Sequence, residues 1–130
     1  MDPVSDYMVK AVRDIDMDTS VREAAEKLDS CGIGSLLVKK DSDYVGMVSE
    51  MEITRNLVAK DKDSNSTFVG DIMNPEIDYI DQEETMSQAI AIMREKRLRY
   101  LVVRDSKTVV GILSVKDLLA FYEKWFKLIL

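Results

Sequence analysis

The sequence predicts an α/β (α+β) chain of two pseudo-twofold-related units. Each unit runs strand, helix, strand, strand, helix, with small sheets packed against helices. Three observations carry this prediction. Sliding the sequence by 65 residues superposes its halves without a gap. Apolar runs of strand length alternate with stretches of helical periodicity. Polar turn clusters separate them at matching positions. The units are taken as residues 1–65 and 66–130, joined by the polar linker 60–67, "KDKDSNST".

The repeat can be read residue by residue. Val4 to Met8 falls on Val69 to Met73, Ile15-Asp16 on Ile80-Asp81, and Leu36 and Val38 on Leu101 and Val103. "VGMVSEME" (Val45 to Glu52) falls on "VGILSVKD" (Val110 to Asp117). Val21, Ala24, Ala25 and Leu28 keep the spacing of a half-buried helix, and Met86, Ala89, Ile90 and Met93 repeat it. Thr19 or Ser20 can cap the first of these helices and Thr85 the second. "SLLVKK" and "YLVVR" follow as strands. "KDSD" and "RDSK" turn the chain into "YVGMVS" and "VVGILS". A closing helix is expected from about Glu50 to Ala59, and another from Val115 towards the end of the chain.

Composition narrows the function classes. Of the 130 residues 46% are hydrophobic and 32% charged, an ordinary globular balance. The net charge of −6 argues against a broad nucleic-acid footprint, which needs clustered Lys and Arg. There is no histidine, which removes Ser-His-Asp and Cys-His chemistry and the usual catalytic zinc sites. No enzyme and no metal are therefore expected. No apolar run is long enough to cross a bilayer, and the opening "MDPVSD" is the reverse of a basic leader. Cys31 stands alone, so no intrachain disulfide can form and a reducing, cytoplasmic home is expected.

The stretch "GILSVKD" is the chemical centre of the sequence. Ser114 followed by Asp117 is a capping-box pattern. The same groups at a helix start could also grip a phosphorylated sugar. Ser49 and Glu52 repeat the pattern. Gly46 and Gly111, inside strand patterns, mark a bend or a close backbone approach. Met8, Met47, Met51, Met73, Met86 and Met93 read as core filler, and Cys31 as a small buried residue at a helix end.

The tandem stretches "CGIGSLLVKKDSDYVGMVSEMEI" and "KRLRYLVVRDSKTVVGILSVKDL" resemble the CBS domain family, arranged as a two-repeat Bateman module over essentially the whole chain. The resemblance implies a regulatory sensor of adenosine nucleotides (AMP, ADP or ATP) with ligand in the clefts between repeats. S-adenosylmethionine is an alternative ligand, and a structural dimerisation module without ligand an alternative function. It assigns ribose hydroxyls to Asp117, phosphate to Ser114, and the base pocket to Ile112. Val12, Arg13, Ile33 and Gly34 would complete that site, with Arg99 facing phosphate and Lys116 at a further contact. The twin site would use Ser49, Glu52, Met47, Ile77 and Leu98. There Asp78 stands where the first site has Arg13, adding negative charge near an anionic ligand, so the Asp117 site is expected to be the better one.

The last helix, "LLAFYEKWFKLIL", carries Phe121, Tyr122, Trp125, Phe126, Ile129 and Leu130, more apolar surface than one helix of a small domain hides. The expectation is an interface between repeats or a homodimer contact. No DNA-binding or catalytic domain is recognised, so the output is expected to pass to an unknown effector protein in trans. No membrane partner and no required cofactor are expected.

Overall fold

A computed structural model describes residues 2–129, Ile129 by its backbone alone. Among these residues the elements are β1 (Asp14–Asp16), α1 (Val21–Cys31), β2 (Ser35–Lys40), β3 (Asp43–Ser49), α2 (Glu50–Glu52), α3 (Val69–Ile72), β4 (Tyr79–Asp81), α4 (Met86–Lys96), β5 (Tyr100–Asp105), β6 (Thr108–Ser114) and α5 (Val115–Ile129). Every strand, and the helix inside each strand–helix–strand run, recurs at the same 65-residue offset. A helical turn at Val4–Asp6 precedes β1 and answers to α3; neither was expected from the sequence pattern.

The chain divides into two compact units. A central unit runs from Arg13 to Ile77; a terminal unit joins the chain up to Val12 with the chain from Asp78 onward. These units differ from the sequence halves because the opening segments are exchanged. Val4 is fully buried in the core built around Ile80, Leu101 and Leu113. Val4 and Ser5 donate their backbone N–H groups to the carbonyls of Glu84 and Gln82, at 2.8 and 3.0 Å.

In the central unit β1 pairs parallel with β2, and β2 antiparallel with β3. Ile15, Leu36, Val38 and Val48 meet Val21, Ala24 and Leu28 of α1 in one core, which Val69 and Ile72 of α3 close. The Oγ of Ser20 accepts from Glu23 N at 3.2 Å and starts α1, so Ser20 is the cap. Gly32 ends the helix at φ 62°, a left-handed position that glycine takes without strain. Cys31, beside it, is half-buried. Asn74 lies against the free edge of β3 and exchanges hydrogen bonds with Met47 at 2.8 and 2.9 Å.

The helix expected from Glu50 to Ala59 is helical but irregular. After α2 the chain widens into a π turn over Ile53–Leu57 and tightens into a three-ten turn over Val58–Lys60. The reason lies in the core. At the 65-residue offset, Asn56 answers to Phe121, which is buried in the terminal unit. Asn56 cannot serve there; its Nδ2 donates to the Ile72 carbonyl at 2.9 Å, and the wider turn brings Leu57 into the core.

The terminal unit repeats the sheet as β4-β5-β6, with Met86, Ala89 and Met93 of α4 and Phe121 of α5 on its core. Thr85 and Gln88 form a full capping box at the start of α4. Val9 lies along β6, bonded both ways to Ile112 at 2.8 and 2.9 Å. The opening segment is held further by Lys124 Nζ, which donates to Asp2 Oδ1 at 2.8 Å, and by an edge-to-face contact of Tyr7 with Phe121. The hydrogen bond from Lys124 holds the Asp2 carboxyl below its usual 3.8, and the same bond holds Lys124 above 10.5. Along α5, Phe121 is buried, whereas Val115, Leu119, Tyr122, Trp125, Phe126 and Leu128 are exposed. Leu130 and the side chain of Ile129 lie outside the described residues. Among the described residues no helix is long and apolar enough to cross a membrane.

Candidate functional site

The site motif begins where β6 ends. Glycine at position 111 lets the chain before it approach closely, because a Cβ there would stand 2.7 Å from Met8 Sδ and 2.9 Å from the Val9 carbonyl. Ile112 is thereby bracketed by β5 on one side, through Val102, and by Val9 on the other. Two residues after Ile112 the strand stops at Ser114 and α5 starts. Asp117 turns back on that start: its Oδ2 accepts from Ser114 N at 2.7 Å and from Ser114 Oγ at 3.2 Å. The Asp117 half of a capping box is therefore realised. One carboxylate oxygen is engaged, while Oδ1 has no hydrogen-bond partner among the described residues and the side chain is half-buried. A fixed carboxylate with one open oxygen can accept a ligand hydroxyl.

Arg99 lies just before β5, and its carbonyl accepts from Val115 N at 3.2 Å, so its backbone is tied to the first residue of α5. Its guanidinium is exposed, with no side-chain partner among the described residues. Lys116 is exposed in the first turn of α5. The terminal unit thus brings Ser114, Asp117, Ile112, Lys116 and Arg99 around one strand-to-helix junction, with Val12 three residues beyond Val9 on the segment along β6. Arg13, Ile33 and Gly34 belong to the central unit. There Arg13 is exposed with its carbonyl bonded to Leu37 N at 3.1 Å, and Ile33 packs against the core. Gly34 accepts from Glu50 N at 3.2 Å.

The twin motif has the same architecture and a different state. Glu52 Oε1 accepts from both Ser49 N and Ser49 Oγ at 2.7 Å, and Ser49 Oγ accepts in turn from Met51 N at 3.2 Å. Ser49 is 5% exposed, so its hydroxyl is engaged as donor and acceptor and shut away from solvent. Lys116 has Met51 as its counterpart, which removes a cation. Met47 and Ile77 are half-buried in the central unit, and Leu98 packs against the terminal core. The negative charge of Asp78 is offset, contrary to the expectation above: Lys96 Nζ stands 3.2 Å from its Oδ1. The two residues are 18 positions apart, and no local spacing rule announces such a pair.

Known proteins with this pattern are numerous. The model of the CBS domain family matches residues 4–59 and again 69–124. A crystal structure of a CBS domain is 34% identical and superposes with a TM-score of 0.88, covering 94% of this chain and 98% of that one. The mitochondrial CBS domain-containing protein CBSX3 of Arabidopsis thaliana is 28% identical over 105 residues, 77% of this chain and 51% of its own length. The CBS domain-containing protein YhcV of Bacillus subtilis is 25% identical over 118 residues, 91% of this chain and 84% of its own. The chain spans about half the length of CBSX3 and of an uncharacterised Methanopyrus kandleri protein, 51% and 50%.

Proposed function

The chain belongs to the CBS domain family, whose model it matches twice, and from that premise we propose that it is a regulatory module for an adenosine nucleotide (AMP, ADP or ATP). The family is regulatory and usually ligand-binding. The observation that carries the reading is Asp117, held by Ser114 through Oδ2 with Oδ1 open. In this reading Asp117 accepts a ribose hydroxyl, Ile112 lines the base, Ser114 and Arg99 meet the phosphates, and Lys116 and Val12 stand at further contacts. Arg13, Ile33 and Gly34 complete the set. Glu52, with the buried Ser49, serves a weaker second site with Met47, Ile77 and Leu98.

Magnitudes decide what the site must contribute. A helix start favours an anion by about 0.3–1 kcal/mol, whereas micromolar affinity needs about 8 kcal/mol. Base burial and charge-assisted hydrogen bonds supply the remainder, and Arg99, whose planar fork can hold two phosphate oxygens, is the main donor. Ligand acts as a signal by favouring one arrangement of the module over another, and an effector protein reads the difference.

Isothermal titration of nucleotide-free protein with AMP, ADP, ATP and S-adenosylmethionine tests the proposal. Micromolar binding of one of the three nucleotides, lost in Asp117→Ala, is the expected result. Tighter binding of S-adenosylmethionine would replace the ligand. No heat with any of the four would leave both motifs as caps in a structural interaction module.

A further inference from the structure

The turn that ends α4 carries Arg94, Lys96, Arg97 and Arg99 within six residues, on a chain of net charge −6. The repeat supplies an internal control for whether the fold requires them. The matching turn at the end of α1 has Asp29, Cys31, Gly32 and Gly34 in those places, none of them cationic. The two turns close alike: Gly32 N–H bonds back to the carbonyls of Asp29 and Leu28, and Arg97 N–H to those of Arg94 and Met93. Four cations are therefore dispensable for this turn.

Arg97 adds a second observation. It holds φ 57°, the left-handed conformation that strains any residue with a Cβ, where its counterpart is glycine. The other left-handed residues with a side chain, Asp41, Asp61 and Ser106, are short turn formers, whereas Arg97 is a long cation where the other repeat has glycine. Arg94 and Arg97 are both exposed, and neither side chain has an ion-pair or hydrogen-bond partner among the described residues. Lys96 is paired with Asp78, and Arg99 belongs to the nucleotide reading, so Arg94 and Arg97 are the two cations left over.

We propose that Arg94 and Arg97, at the C-terminal turn of α4, dock an acidic segment of a partner protein. Two guanidinium forks one turn apart suit successive carboxylates, each able to pair bidentately. Both residues are exposed at the end of α4, which suits an extended acidic peptide rather than a small anion needing enclosure. Nucleic acid fits less well, because it extends past the patch over an otherwise acidic surface. A short peptide meets only the local field, since charges beyond about 8 Å are screened at physiological salt. The proposal goes beyond the nucleotide reading and stands without it.

Fluorescence anisotropy of a labelled tetra-glutamate peptide tests it. The wild-type chain is expected to bind the peptide, more weakly as salt rises. Arg94→Asp with Arg97→Gly, which installs the residues α1 uses, should weaken binding by about tenfold or more. Arg94→Gln with Arg97→Gln checks the same loss should the first variant fail to fold. Equal binding by a folded double variant, or no peptide binding by the wild type, overturns the proposal. Tighter binding of an oligothymidylate than of the peptide overturns it in favour of nucleic acid, and equal occupancy by inorganic phosphate in favour of a small-anion site.

Discussion

The carbonyl oxygen of Asn74 stands 2.6 Å from the point where a Cβ on Gly46 would lie. The glycine of the site motif is thus explained by the segment that crosses β3 rather than by ligand. Gly111 has the same reason, with the Val9 carbonyl at 2.9 Å. Gly46→Ala is expected to destabilise the chain by about 1–3 kcal/mol, as overpacking against fixed backbone does. Gly32→Ala meets nothing within 4 Å and loses stability only through its positive φ; that loss should be about 1–2 kcal/mol. Urea unfolding of the two variants measures both.

Asp117→Ala and Glu52→Ala each remove a cap partner, so each should lower stability by about 1 kcal/mol. Their effects on nucleotide binding should separate: about tenfold or more for Asp117→Ala, and less for Glu52→Ala, whose serine is already buried. Calorimetry reads affinity and melting reads stability. Equal losses of affinity would contradict the ranking of the two motifs.

The ion pair of Asp2 with Lys124 predicts a pH signature. The Asp2 pKa is depressed, first by the Lys124 hydrogen bond, so its contribution is present above the ordinary 3.8 and is lost as pH falls through the depressed folded value. Lys124 is raised, first by the Asp2 hydrogen bond. Its contribution is full below 10.5 and is lost as pH rises through the elevated value. The stability difference between wild type and Asp2→Asn should therefore be flat across neutral pH and shrink in acid, and it should fall with added salt.

The outer face of α5 leaves Leu119 65% and Phe126 63% exposed. With Tyr122 and Val115 they follow a four-three-four spacing, the rhythm of a helix that pairs with another. The expected homodimer would cover this face with a second copy. Leu119→Glu with Phe126→Glu should turn a dimer into a monomer by light scattering and leave the circular dichroism unchanged.

Much of the architecture was legible because the repeat is gapless. The offset that aligns Ile15 with Ile80 also aligns the strands, the helix caps and the turns, in which the structure adds the paired left-handed residues Asp41 and Ser106. Motif glycines could be read as close approaches, though not what approached them. The π turn was hidden because it depends on a polar residue at one core position, Asn56, reaching a carbonyl sixteen residues away. The Lys96–Asp78 pair and the exchanged opening segments were hidden for a related reason. They join stretches that local periodicity treats as independent. Ser114 and Asp117 were found with their partnership intact, but only coordinates show which carboxylate oxygen is engaged.

The exchange of opening segments bears on how the protein is made. Arg13 to Ile77 is one uninterrupted stretch, so its sheet can assemble as soon as it leaves the ribosome. Val4 emerges before that stretch, yet the residues that bury it around Ile80 and Leu113 emerge after it, so Val4 must wait for them. Closing so long a loop slows assembly more than it weakens the finished fold. A nascent chain exposed only as far as Ile77 would therefore hold one completed unit and a dangling apolar arm.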